Sequence, residues 1–219
     1  MDVVESLARR RSVRAFRSDE IPEETLRRIF EEAQRAPSWC NIQPWRAWVA
    51  SGETRARLTE GLVTEAKTGA PHPDIPFPIE YPEPYGARRK ECGGALYRAM
   101  GIERGDTAGR QAAWLRNFVA FDAPHVAIVG IDRCFDVYAA IDVGCWLESV
   151  LLVATSLGVA TCAQASLAVY PSVARRVLGI GDDVRIVFGI GLGYEDEEAA
   201  ANRCRTSREP LESNVVFRR

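Results

Sequence analysis

The residues in this sequence best placed to do chemistry are arginines that stand without acids. Arg9, Arg10, Arg11, Arg14 and Arg17 fall within nine residues that contain no Asp or Glu. A solvated helix face intersperses acids with bases, as the segment after Pro22 does, so an unbalanced cluster calls for an anion. Guanidinium forks bind phosphate through paired hydrogen bonds. Pairing with acids remote in sequence accounts for the cluster equally well. A second acid-free set, Arg203, Arg205 and Arg208, lies near the other end of the chain. If both sets meet on one phosphate, they form a mononucleotide pocket.

Two further stretches carry polar chemistry. The loop from Ala36 to Trp45 holds Ser38, Trp39, Asn41 and Gln43. Side-chain amides both donate and accept, which is what reading a heteroaromatic edge requires; the plainer reading is a turn around a buried tryptophan. Gly189, Gly191 and Gly193 follow a predicted strand, but G-x-G-x-G followed by Glu195 to Glu198 departs from the dinucleotide fingerprint. Packing glycines explain them better. The chain has two histidines, His72 and His125, far apart and without a ligand pattern, so neither a metal site nor a hydrolytic triad is expected. His125 alone stays open as a base. The six cysteines form no C-x-x-C pair and read as reduced thiols.

The elements that must position these residues can be read from periodicity. Helices are predicted over 2–9, 22–36, 53–67, 83–102, 107–121, 136–157 and 171–178. Strands are predicted over 45–50, 125–132, 159–163 and 184–191. Helices come first and strands are spread thinly between them, which predicts an α+β fold with a small mixed central sheet surrounded by helices. The chain, 1–219, reads as a single domain with a proline-rich excursion over 71–84 and a C-terminal arm over 195–219. The excursion carries six of the twelve prolines, so it is neither helix nor central strand. Its Phe77, Ile79 and Tyr81 would be stranded in water unless it wraps the body as a lid. A net charge of −2 argues against nucleic acid as a bulk partner. Asp142 and Glu148 interrupt the most apolar stretch, which points to a buried helix rather than a membrane span. No signal peptide is visible and a cytoplasmic protein is expected.

Taken together, the motifs resemble those of the flavin-dependent nitroreductase family. Arg10-Arg11-Ser12-Val13-Arg14-Ala15-Phe16, then Ala36-Pro37-Ser38 with Asn41, Gln43, Pro44 and Trp45, then Arg205-x-x-Arg208-x-Pro210-Leu211 follow that family's order across nearly the whole chain. The resemblance implies an FMN-bound homodimer with swapped termini and active sites at the subunit interface. By motif, Arg10, Arg11, Ser12 and Arg14 would hold the FMN phosphate, ribityl chain and pyrimidine edge, and Arg205 and Arg208 would complete the phosphate grip. Pro37, Ser38, Trp39, Asn41 and Gln43 would reach the same flavin from the partner. Gln164 and Ala165 would lie beside flavin N5. The family's Asn and Lys contact on the mid-chain helix has no counterpart between Glu83 and Ile102. The implied reaction passes a hydride from NADH or NADPH through FMN N5 to a nitroaromatic or quinone by a ping-pong route, with no catalytic side chain. Arg88, Arg89 and Arg104 make nitroaromatic acids candidate acceptors. Alternatives are the same scaffold used for dehalogenation, flavin processing or azoline oxidation, and a non-catalytic flavin carrier. The Trp39-Cys40-Asn41-Ile42-Gln43 loop differs from the Gly-Ala-His-Thr-Glu associated with the dehalogenases.

Overall fold

A computed structural model describes all 219 residues. Strands β1 (Arg46–Ser51), β2 (His125–Asp132), β3 (Ala160–Gln164) and β4 (Val184–Gly193) form one sheet in the order β1-β2-β4-β3. All three pairings are antiparallel. The only parallel pairing to this sheet is the isolated bridge Ser12–Thr161, so the sheet is antiparallel rather than mixed. β2 is buried from His125 to Ile131, with only Asp132 partly exposed. Val126 and Ile128 point into one core cluster while Ala127, Val129 and Ile131 point into another on the opposite face. That period-two split is how an unbroken apolar run serves a sheet covered on both sides.

Helices α1 (Val3–Arg9), α2 (Glu23–Ala33), α3 (Gly52–Thr68), α4 (Tyr85–Ala99), α5 (Thr107–Leu115), α6 (Val137–Ser156) and α7 (Pro171–Leu178) surround the sheet. Local chemistry sets several of their ends. Asp2 caps α1 by accepting the Glu5 N–H at 2.8 Å, and Asp106 caps α5 through the Gly109 N–H at 2.8 Å. α7 starts on Pro171 and ends at Gly179, which supplies the left-handed φ of 67°. α5 ends at Leu115, short of 121, and beyond it Ala120, Phe121 and Asp122 all take positive φ in a turn that buries Phe121. One core cluster packs α3 and α7 on the sheet, where Gly61 lets Val173 approach: a Cβ there would stand 2.7 Å from its Cγ1. The other packs α2 and α6, with Trp146 flanked by Phe30 and Trp45 at 6.1 and 6.2 Å between ring centroids.

α6 is long and apolar enough, by length and composition, to cross a membrane. Its Ala139, Val143, Trp146, Val150 and Ala154 are buried against α2 and the sheet. Its other face leaves Val137, Tyr138 and Ile141 exposed. α1 behaves similarly: Val3, Val4 and Leu7 face outward and only Ser6 is buried.

The proline-rich excursion divides in two. His72 donates its N–H to the Val169 carbonyl (3.2 Å), and its ring meets Ser172 and Tyr170. Asp74 is clamped by Arg175 (2.7 Å), Arg133 (3.3 Å) and the Ile186 N–H (2.8 Å). Burial alone would raise the Asp74 pKa, but the Arg175 and Ile186 hydrogen bonds and the charges of Arg175 and Arg133 hold it below the ordinary carboxylate value. Beyond the clamp, Phe77, Ile79 and Tyr81 stand in solvent, Ile79 at 97% exposure. The wrap is therefore confined to the first half of the segment.

Candidate active site

The chain leaving α1 runs extended beside β3, with the Val13 N–H on the Thr161 carbonyl at 3.0 Å. Side chains alternate along an extended strand, and this splits the arginine cluster. Val13 is buried on one side, and Arg11 beside it forms an ion pair with Glu195. Arg10, Ser12 and Arg14 share the opposite parity. Arg10 Nε comes no nearer than 3.9 Å to the Glu148 carboxylate. The Arg14 guanidinium donates to the Ser12 carbonyl at 3.2 Å. Arg17 lies outside the group, held by Asp19 at 2.8 Å.

Asn202, which no motif or spacing had marked, joins the two ends of the chain. It is buried, and its Oδ1 accepts the Arg14 N–H at 2.7 Å while its Nδ2 donates to the Ala15 carbonyl at 2.8 Å. Its own carbonyl accepts from the Arg205 guanidinium at 2.6 Å. Arg208 donates to Thr206 Oγ1 (3.1 Å) and the Ser207 carbonyl (2.9 Å). None of these three guanidiniums meets a carboxylate. Arg205 and Arg208 line a cleft of about 420 Å³ against α4, where Arg88 pairs with Glu209 at 3.1 Å. Arg14 and Arg205 thus share a partner, whereas Arg10 and Arg208 make no common contact within one chain.

Gln164 ends β3 and is buried. Its Nε2 donates to the Asn117 carbonyl at 3.0 Å, and its Oε1 is buried without a partner. Ala165 follows, exposed, at the start of a 3₁₀ turn. Burial pushes the nearby Cys162 thiol up to about 11 against the opposing charge of Arg14, so it stays protonated and is no nucleophile. Beside Arg14, an apolar cleft of about 330 Å³ opens between Leu96, Tyr97 and Met100 at the end of α4 and Trp114 on α5. The sequence carried no sign of it, because its walls come from helices whose apolar residues lack a marked stripe.

The loop over 37–43 lies elsewhere. Ser38 Oγ accepts the Gln43 N–H at 3.0 Å, and Gln43 Nε2 donates to the Asn41 carbonyl at 3.0 Å. Cys40, Asn41 and Gln43 take left-handed φ of 46°, 58° and 47°. Pro37, Trp39, Asn41 and Gln43 are exposed, while Trp45 is the buried tryptophan that the plainer reading required. Trp39 sits on Tyr138, near the start of α6, whereas Arg10 approaches Glu148 farther along the same helix. One chain therefore does not bring this loop to the arginines.

Two other candidates resolve into structure. His125 is buried, accepting the Ile21 N–H on Nε2 at 3.0 Å. That leaves the proton on Nδ1, which donates to Ser51 Oγ at 2.6 Å. Burial lowers its pKa and favours the neutral ring, and with both nitrogens taken by hydrogen bonds it is a structural core residue with no free nitrogen to serve as a base. The three glycines lie inside β4: a Cβ at Gly189 would meet Leu167 at 2.6 Å and one at Gly193 would meet Pro124 at 2.6 Å. They are packing glycines.

Comparison with known proteins places the chain in a family. The profile of the Nitroreductase family matches residues 7–194. The chain is similar to nitroreductase NfnB of Mycolicibacterium smegmatis, 37% identical over 217 residues, covering 96% of this chain and 90% of the relative. It is also similar to a 4-nitrobenzoate reductase of a Nocardioides species, 38% identical over 213 residues, covering 95% and 86%. The crystal structure of FMN-dependent NfnB from Mycobacterium smegmatis in complex with NADPH superposes with a TM-score of 0.95 at 37% identity, covering 100% of both chains.

Proposed function

Because this chain belongs to the nitroreductase family, we propose that it is an FMN-dependent reductase that uses NADPH or NADH to reduce small nitroaromatic or quinone acceptors. FMN, when bound, supplies a ring that accepts a hydride from the nicotinamide and returns it to the acceptor. The observation that carries the reading is the pair of chain ends joined by Asn202, with Arg14, Arg205 and Arg208 satisfied only by uncharged oxygens. Arginines without acids fit an anionic group, and the unpartnered Gln164 Oε1 fits a site built for a hydrogen-bonding ligand.

In this reading Arg10, Ser12, Arg205 and Arg208 hold the phosphate and ribityl chain, and Arg14 stabilises negative charge at the pyrimidine edge. Arg11 contributes through its backbone, its side chain being held by Glu195. The backbone of Gln164 and Ala165 lines the reacting edge. The apolar cleft beside Arg14 suits a flat aromatic acceptor and keeps water from it.

A homodimer completes the site, because Pro37, Ser38, Trp39, Asn41 and Gln43 of the partner subunit would reach the flavin that one chain's loop does not. The exposed Val3, Val4, Leu7, Val137, Tyr138 and Ile141 support that interface. Swapped termini are supported by Val215 to Phe217, exposed at the end of the 195–219 arm, and by β1, which has a free sheet edge. We read 1–219 as one FMN-binding unit acting in the cytoplasm. Purified protein should be yellow, should release FMN on denaturation, and should be bleached anaerobically by a stoichiometric amount of NADPH or NADH, with continuous oxidation of the nucleotide only once a nitroarene is added. Release of mainly FAD, or a flavoprotein that oxidises neither nucleotide, would overturn the reading.

A further inference from the structure

We infer that Asp142 is a positioning residue for the 37–43 loop, seating from α6 the segment that presents Ser38, Asn41 and Gln43 to the flavin. This rests on the reading that the loop faces FMN across a subunit interface. Asp142 is a buried carboxylate, 6% exposed, that forms no ion pair. Burying such a group is unfavourable unless hydrogen bonds compensate, and removing its partner leaves the penalty unrelieved. Its Oδ1 accepts the Trp39 N–H at 3.1 Å, and its Oδ2 is buried with no partner in the chain. What the carboxylate holds is therefore the backbone of the loop and little else.

That backbone needs holding. Cys40, Asn41 and Gln43 are non-glycine residues in the left-handed region, which side chains disfavour. The bonds from the Gln43 N–H to Ser38 Oγ and from Gln43 Nε2 to the Asn41 carbonyl tie the loop to itself. Asp142 ties it to α6. Tyr138, one helical turn before Asp142, meets the Trp39 ring at 5.9 Å between centroids. Hydrogen bond and ring contact fix the two ends of one residue, so Trp39 is seated from both backbone and side chain. Without Asp142 the loop keeps its internal bonds but loses its seat.

The test uses the full-length, FMN-loaded protein with Asp142→Asn, Asp142→Ala, Asp142→Leu and Asn41→Ala. It reads the FMN dissociation constant, the visible circular dichroism of the bound flavin, and apo-protein melting. Asp142→Asn keeps an oxygen acceptor for Trp39 and should bind FMN within about 3-fold of the parent, restoring what the other two lose. Asp142→Ala and Asp142→Leu should weaken FMN by about 10-fold and change the flavin dichroism. Leu fills the space without accepting a hydrogen bond, so its apo protein should melt no lower than the parent. Unchanged FMN affinity in the Ala and Leu variants, with Asn41→Ala weakened, would overturn the role of Asp142 and leave the site intact. Failure of Asp142→Asn to restore binding would overturn it as well. Unchanged affinity in all four, Asn41→Ala included, would instead overturn the placement of the loop at the flavin.

Discussion

Arg175 and Arg133 close on Asp74, whereas Arg14, Arg205 and Arg208 close on no carboxylate at all. The first group is neutralised from within: an acid reached across about a hundred residues locks the start of the proline-rich segment to α7 and β4. The second is left with backbone carbonyls and a hydroxyl, acceptors that satisfy hydrogen bonds but not charge. Guanidiniums of the first kind are clamps, and those of the second are the ones we propose to hold an anion. Sequence cannot separate the two, since a clamp's acid can lie anywhere along the chain.

The contrast is open to attack by substitution. The largest effect should come from the clamp: Asp74→Ala leaves the half-buried Arg175 with only Asp182, at 3.3 Å, as a carboxylate partner and should destabilise the fold by about 3 kcal/mol, with FMN affinity little changed. Chemical denaturation and flavin titration on the same variant check both halves, and a matching loss of FMN affinity would erase the distinction. Next come Arg10→Ala and Arg208→Ala, each expected to weaken FMN by roughly 10- to 150-fold through loss of a charge-assisted hydrogen bond. If they share one phosphate, the double variant departs from additivity. Unchanged affinity in both singles ends the phosphate assignment.

A smaller effect follows from titration. The folded-state pKa of Asp74 is depressed, so its contribution to stability is fully present above the ordinary carboxylate pKa and lost as pH falls through the folded value. Melting temperature should fall more steeply below about pH 4 in the parent than in Asp74→Ala. The smallest effect is expected at Arg17, exposed and already paired with Asp19, where Arg17→Ala should leave FMN affinity within about 2-fold. A large loss there would mean that exposure and pairing do not sort these arginines.

Much of the scaffold was legible. β2 and α7 begin and end where periodicity placed them, and α2 stops three residues early at Ala33. Phe121 escaped because its left-handed backbone is imposed by the core it fills, and no turn residue announces it. The outward apolar faces of α1 and α6 obey helical spacing faithfully, yet spacing says only that a stripe exists and not which surface will cover it. In the site, the arginines and the 37–43 loop were visible as composition. Glu195 taking Arg11, and Asn202 bridging Arg14 to Arg205, depend on where a distant strand ends, and no local signal carries that.

The alternation along residues 10–14 makes the length of that segment matter as much as its residue types. Removing or adding a single residue there would exchange the sides, turning Arg11 toward the proposed cofactor side and sending Arg10 and Arg14, the arginines proposed to bind, toward the core and Glu195. A one-residue deletion should therefore abolish FMN retention where most single substitutions only weaken it, while far-ultraviolet circular dichroism still reports the folded sheet and helices. Insertions and deletions should be much scarcer in this stretch than in the exposed half of the proline-rich segment, whose length nothing in the core reads.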